Sequence, residues 1–351
     1  MTDSNQVSAF KEQTPFRAKI SSLLSNQSVV LVITLIVLGA FFQWGSEGSF
    51  LHMDLLGTIM DQWGSYILIA VGQLFVVITG GIDLSVGSTV SLSSVVAGWF
   101  VVQQLHKGPE VSGGAAIPYI LLIAFICLLV GLLVGLVNSW LINQLKIVPF
   151  IATLATMGAS NGIAVMISVG MPLQGPNDWD LGNPWKIGDF TLPFSTMVLA
   201  ATFITAVVGL FLHKSRFGLY TYALGSNAFA TRGAGISVQK QIVKVYMLSG
   251  GLAGLAGAYS YVRLGAGSNT SGMGMELYAI AAVVIGGASL MGGVGRIVGI
   301  ALGTLVLFVV QSGLLTMTVV QVSPDLKQVI VAILIASAVA VQTLQNKNGR
   351  K

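Results

Sequence analysis

Val76-Val77-Ile78-Thr79-Gly80-Gly81-Ile82-Asp83-Leu84-Ser85-Val86-Gly87-Ser88 joins two stretches, 62–82 and 84–106, that contain no Asp, Glu, Lys or Arg. Each is close to the ~20 apolar residues that cross a bilayer as a helix. Between them sit one carboxylate and a glycine pair. A charge in hydrocarbon costs about 3 kcal/mol or more, so Asp83 needs a partner or water. The glycines allow the helix to break and free backbone groups. Three roles are open to Asp83. It can cap the following helix by accepting amide hydrogens near Ser85 and Val86. It can line a polar translocation path, or pair with a distant Arg or Lys.

Outward from this junction the same pattern recurs. Uncharged windows run over 28–46, 62–82, 84–106, 111–145, 147–177, 190–213, 245–262, 277–295, 297–324 and 328–346. They are long and continuously apolar, which suits helices and not the short alternating strands of a membrane barrel. The chain is 54% hydrophobic and only 8% charged, against about 25% charged in soluble domains. A soluble fold of this length could not hide that surface. The expectation is an all-α polytopic transmembrane helical bundle of about ten spans, with broken helices near Gly80-Gly81 and Gly286-Gly287. The 43 glycines fit helices that approach closely through small residues.

Lys and Arg set the orientation. With the N-terminus inside and ten crossings, thirteen basic residues fall in the cytoplasm: Lys11, Arg17, Lys19, Lys146, Lys214, Arg216, Arg232, Lys240, Lys244, Arg296, Lys347, Arg350 and Lys351. Four fall outside: Lys107, Lys186, Arg263 and Lys327. The bias predicts an N-in, C-in arrangement. The net charge of +5 is spread over loops, so it reads as topology and not as nucleic-acid affinity. The domain plan is a cytoplasmic N-terminal segment, 1–27, a membrane domain, 28–346, and a cytoplasmic tail, 347–351. No small-residue cleavage site follows 28–46, which reads as a retained span. Residues 170–192, with Pro172, Gly175, Pro176, Pro184 and Trp185, form an outer excursion. Residues 213–244 form the longest cytoplasmic loop.

A second glycine break echoes the first: Val283-Val284-Ile285-Gly286-Gly287-Ala288-Ser289-Leu290, followed by Gly292, Gly293 and Gly295. It is no nucleotide loop, because the Gly-Lys-Ser/Thr of a P-loop occurs nowhere in the chain. No His-Glu-x-x-His, Gly-x-Ser-x-Gly or paired catalytic carboxylates occur either. His52, His106 and His213 lie near span edges, and Cys127 sits alone in an apolar run. The chain therefore reads as a transport subunit and not an enzyme, with no metal and no cofactor of its own. Polar residues inside spans include Gln73, Asn138, Asn143, Thr153, Thr156, Ser160, Asn161 and Gln311. Such residues mostly bond helices together, and a few can meet hydroxyls of a passing solute. Gln73, Gly80, Gly81, Asp83, Ser85, Asn138, Asn161, Glu276 and Gln311 form the set expected at a translocation path or at the helix breaks.

In the cytoplasmic loop, Tyr220-Thr221-Tyr222-Ala223-Leu224-Gly225-Ser226-Asn227-Ala228-Phe229-Ala230-Thr231-Arg232-Gly233-Ala234-Gly235-Ile236 reads as a short helix of small residues. Asn227 suits its N-cap and Gly235 its stop. Phe229 is an apolar residue on a water-facing loop, and a partner's groove could seat it. A plain surface turn is the other reading.

These segments resemble the ABC importer permeases of the ribose/xylose/arabinose/galactose type. The resemblance rests on Gly80-Gly81-Ile82-Asp83-Leu84-Ser85-Val86-Gly87, on Gly225-x-Asn227 with Ala230, Arg232 and Gly235-Ile236, and on Leu248-Ser249-Gly250-Gly251-Leu252-Ala253-Gly254-Leu255-Ala256-Gly257. It continues through Glu276-Leu277-x-Ala279-Ile280-Ala281-Ala282-Val283-Val284-Ile285-Gly286-Gly287. It covers about residues 55 to 340. Thr231 and Ala234 depart mildly from the family's coupling segment. The resemblance implies a monosaccharide permease in the bacterial inner membrane, pairing with a second permease chain. It implies an extracytoplasmic sugar-binding protein, and cytoplasmic ATPase subunits that use ATP and Mg. It implies that Gly225, Asn227, Phe229, Ala230, Arg232, Gly235 and Ile236 meet the ATPase. A nucleoside or an autoinducer-type solute would fit the same machinery. A secondary transporter would need coupling carboxylates within spans, where only Asp83 and Glu276 stand.

Overall fold

The computed structural model describes residues 27–104, 117–175, 184–187 and 190–318, and five isolated positions, Leu326, Val329, Ala332, Ile333 and Ala336. Residues 1–26 of the expected N-terminal segment 1–27, the expected tail 347–351 and most of the tenth window lie outside the described residues, and Gln27 already belongs to a helix. Helices dominate: α1 Gln27–Gly45, α2 Met53–Ile78, α3 Val86–Trp99, α4 Ile117–Asn143, α5 Pro149–Ser168, α6 Thr196–Lys214, α7 Arg216–Ser226, α8 Ala228–Gly233, α9 Val238–Leu264, α10 Met275–Ile285 and α11 Ile297–Thr316. Seven of them, α1, α2, α4, α5, α6, α9 and α11, are long and apolar enough to cross a membrane. The third and eighth windows hold shorter helices than expected. Only the 14 residues of α3, extended by a π-turn at Phe100–Gln104, and the 11 of α10 are helical. Two small ribbons were not expected. β1, Leu173–Gln174, pairs antiparallel with β4, Ala266–Gly267, and β2, Pro184–Ile187, pairs antiparallel with β3, Phe190–Ser195.

Helix ends follow the sequence. Pro149 opens α5, where its missing amide costs no bond. Ser195, Ser215 and Ser237 cap α6, α7 and α9 by accepting the amides of Val198, Gly218 and Lys240. The α9 helix starts seven residues before its apolar window, so Lys240 and Lys244 ride its first turns.

The core explains the glycine content. On α4, Gly131 and Gly135 lie four apart and face Gly250, Gly254 and the Tyr246 carbonyl of α9. A Cβ at either position would overlap the α9 backbone. Lipid offers no hydrophobic drive between helices, so such backbone-close crossings supply the attraction through packing. The outward face of α4 presents Leu121, Phe125, Leu129, Leu133 and Leu136. A patch of that size suits lipid and not water. By contrast α3 and the second half of α2, from Ile67 to Ile78, are almost wholly buried. The buried hydroxyls of α3 are satisfied locally: Thr89 donates to the Ser85 carbonyl (2.7 Å), Ser93 to Val90 (3.1 Å) and Ser94 to Ser91 (3.0 Å).

Among the described residues, the bundle has a basic end. Gln27, Ile78, Asn143 and Gly287 lie there, tied together by Gln27 to the Ile285 carbonyl, Gly293 to Ile78 and Asn143 to Gln239. Lys146, Lys214, Arg216, Arg232, Lys240, Lys244 and Arg296 flank the helix termini at this end. At the opposite end Arg263 of α9 ion-pairs with Asp61 of α2. The Tyr259 hydroxyl donates to the same carboxylate at 2.7 Å.

Candidate functional site

The two glycine breaks are built alike. In α2, Gly80 stands just past the end at φ +81°. Its amide donates to the Val77 carbonyl (2.9 Å) and the Gly81 amide to Val76 (3.0 Å). In α10, Gly287 stands at φ +86°, with its amide on Val284 and the Ala288 amide on Val283, both 3.0 Å. This is the double-bonded left-handed cap that satisfies orphan carbonyls at a helix end. The capped carbonyls belong to the Val-Val pairs that matched in the sequence.

Beyond the α2 cap the chain turns inward to Asp83, which is fully buried. Its carboxylate accepts the Ser85 amide (3.0 Å), the Ser85 hydroxyl (2.6 Å) and the Ser249 hydroxyl of α9 (2.9 Å). Ser85 in turn accepts Asn138 of α4 (2.8 Å), and the Asn138 carbonyl oxygen accepts Thr156 of α5 (2.5 Å). Thr153 of α5 adds a bond to the Ile82 carbonyl (3.2 Å). The expected Ser85 amide is thus a partner of Asp83. The hydroxyls of Ser249 and Thr156 extend the cluster to two helices far away in sequence. Thr156 was visible as a polar residue within a span. Ser249 carried no signal of its own.

The remaining candidates scatter. Glu276 stands in the first turn of α10, half-buried, where its carboxylate covers Gly87 at the start of α3. Gln73 is buried in α2, and Asn161 faces outward on α5. Gln311 of α11 leaves its side-chain carbonyl buried without a hydrogen-bond partner. The Asp61–Arg263–Tyr259 group was missed, because Asp61 falls one residue before its apolar window. Asp61 and Arg263, with Asp54, Gly57, Thr58, Pro193 and Ser195, line a cavity of about 190 Å³.

At the basic end the coupling segment is two helices, not one. Asn227 separates α7 from α8 and caps α8, accepting the Ala230 amide at 2.9 Å. The α8 helix closes on Gly235 (φ +82°), whose amide donates to Arg232, while the Ile236 amide donates to Thr231. Both caps match their expected residues. Phe229 is 88% exposed, and Arg232 is exposed on the same short helix. Gly225 differs. It lies in the last turn of α7 against the Ile78 carbonyl and the Gly293 amide. The rest of α7 is anchored. Phe217 stacks on Phe75 of α2 (5.6 Å between centroids), and Gln241 of α9 donates to the Phe217 carbonyl and the Thr221 hydroxyl. Tyr222 donates to the Gly295 carbonyl at 2.6 Å. Burial raises its phenol above the ordinary value.

Residues 55–339 match the family described as "Branched-chain amino acid transport system / permease component". The ribose import permease of Escherichia coli (strain K12) is 34% identical over 322 residues, covering 91% of this chain and 94% of that protein. The galactose/methyl galactoside import permease of Haemophilus influenzae (strain ATCC 51907 / DSM 11121 / KW20 / Rd) is 30% identical over 330 residues, 92% of this chain and 95% of that one. The ribose import permease of Bacillus subtilis (strain 168) is 39% identical over 270 residues, 76% of this chain and 78% of that one. No solved structure matches.

Proposed function

Because the chain belongs to the family of transport-system permease components, we propose that it is the membrane subunit of an ATP-driven, binding-protein-dependent sugar importer. The observation that carries this reading is near-full-length similarity to ribose and galactose import permeases. The solute is a monosaccharide, since the relatives named for a solute import sugars, whatever the broader family description says.

In this reading two copies, or this chain and a related one, form the pathway through about ten spans in the bacterial inner membrane. The basic end is cytoplasmic, as seven described Lys and Arg there against Lys186 and Arg263 at the other end favour. An extracytoplasmic binding protein delivers the sugar to the opposite face. ATP and Mg act in a separate ATPase subunit, which docks on α8 through Phe229, Ala230 and Arg232. An exposed aromatic beside a cation on a capped six-residue helix is a compact knob for a partner's groove. Asp83 and its hydroxyl partners hold the broken helices in register. Glu276, part-exposed beside the start of α3, is the carboxylate best placed to meet solute hydroxyls.

Co-purification from native membranes tests the assignment. A P-loop ATPase is expected to accompany this chain, and proteoliposomes holding both should take up ribose or galactose only with ATP and a loaded binding protein. Uptake by this chain alone without ATP would overturn it. Arg232→Glu should detach or uncouple the ATPase while the chain still accumulates in the membrane. Unchanged association would remove Arg232 from the docking set.

A further inference from the structure

The docking helix and the transport core meet at a junction made of backbone, and its residues have a role distinct from docking. The α8 helix is exposed, with one residue, Asn227, between it and α7. Asn227 ties the two together, its amide donating to Ala223 while its side chain caps α8. A force on α8 therefore reaches the last turn of α7. There Gly225 rests on the Ile78 carbonyl, so closely that a single added Cβ would overlap it. That carbonyl belongs to the last turn of α2 and accepts the Gly293 amide at 2.8 Å. Gly293 belongs to the turn that follows α10. Gly292 of the same turn packs on the Gly225 carbonyl and the Gly80 amide. Tyr222, one turn back on α7, holds the turn a second time through Gly295.

Three segments distant in sequence thus touch through main-chain atoms. A side chain between them could change rotamer and absorb a displacement, whereas close-packed backbone cannot. We propose that Gly225, Tyr222 and the 292–295 turn are positioning residues. They transmit motion of the docked α8 to the capped ends of α2 and α10 together. The Ile78 carbonyl is the shared point, so neither broken helix moves without the other. The role rests on the reading of α8 as the ATPase dock, and it assigns Gly225 to transmission within this chain, not to the ATPase surface.

The test uses the full chain with the P-loop ATPase that co-purifies with it, in proteoliposomes with ribose-loaded binding protein. Gly225→Ala is expected to keep the ATPase bound while uptake per ATP falls on the order of tenfold, the scale of a typical inter-site coupling. Hydrolysis should also lose its response to loaded binding protein. Tyr222→Phe removes only the bond to Gly295 and should lower uptake per ATP by a few-fold with the same ATPase content. Wild-type coupling in both variants with the ATPase bound would overturn the transmission role and leave docking intact. Loss of the ATPase from either variant would overturn it too, by making that residue part of the dock. If Gly225→Ala fails to accumulate, Tyr222→Phe decides alone. If the unaltered chain binds no ATPase, docking and transmission both fall.

Discussion

The ends of α2 and α10 share a cap and differ in everything beyond it. Past Gly80 the chain enters a buried polar cluster in which Asp83 and Ser85 bind α4 and α9, and Thr156 of α5 binds Asn138. Past Gly287 it enters a glycine turn whose contacts with α2 and α7 are made largely by main-chain atoms. One break is fixed by side chains that must all be satisfied, because an unpaired polar group in a low dielectric is expensive. The other is fixed by closeness, with little polar side chain to lose. The first suits an anchor, and the second suits a surface that can be pushed as a unit.

The largest expected effect comes from dissolving the anchor. Asp83→Leu leaves the Ser85 amide and the Ser85 and Ser249 hydroxyls buried without their carboxylate. Removing one partner from a buried charged network costs about 3 kcal/mol or more. The variant should accumulate poorly in membranes and melt well below the parent in detergent. If it melts with the parent, the cluster is not the anchor, and the contrast between the two breaks fails.

The caps themselves sharpen the comparison. A non-glycine residue in the left-handed region costs about 1 kcal/mol, and that is the whole cost expected for Gly80→Ala, since nothing lies within 4 Å of its Cβ. Gly287→Ala should cost more, about 2 kcal/mol by the same strain plus overpacking. Its Cβ would press to 2.8 Å on the Gln27 side chain, which bonds the Ile285 carbonyl. Asn at position 80 should recover most of the loss, because Asn tolerates this backbone region. Melting of the pair in one detergent is the measurement. Equal shifts for the two alanines would mean that the Gln27 strap from α1 contributes nothing.

How much of this was legible depends on the physics of each feature. Apolar runs report surroundings without water, whether lipid or packed protein, so the long helices were readable at once. The α3 and α10 windows overstated their helices, because a window without charge includes any backbone that lies within the bundle, helical or not. Caps are local chemistry, which made Asn227, Gly235 and the Val-Val-Ile-x-Gly echo readable. Of the partners of Asp83, Ser85 was readable and Ser249 was not, since it lies 166 residues away and a lone serine in a span has no signature. Gly225 was visible as a family residue, but only the packed structure turns it toward Ile78.

The smallest effect lies at the rim of the anchor. Thr156→Val conserves shape and removes one hydroxyl, which donates to the Asn138 carbonyl oxygen. It also leaves that oxygen buried, so the loss should be about 1 kcal/mol. Asn138 keeps its bond to Ser85, and Ser85 keeps Asp83. The damage should therefore stop at α5, which would separate from the cluster while α3, α4 and α9 remain joined. A double-mutant cycle with Asn138→Leu, which removes the direct partner of Thr156, reads this directly. Two residues in one hydrogen-bonded chain should couple, with the double variant departing from additivity by about 0.5 kcal/mol or more. Strict additivity would mean that α5 is held by Thr153 on the Ile82 carbonyl and its apolar packing, and that the polar chain ends at Asn138.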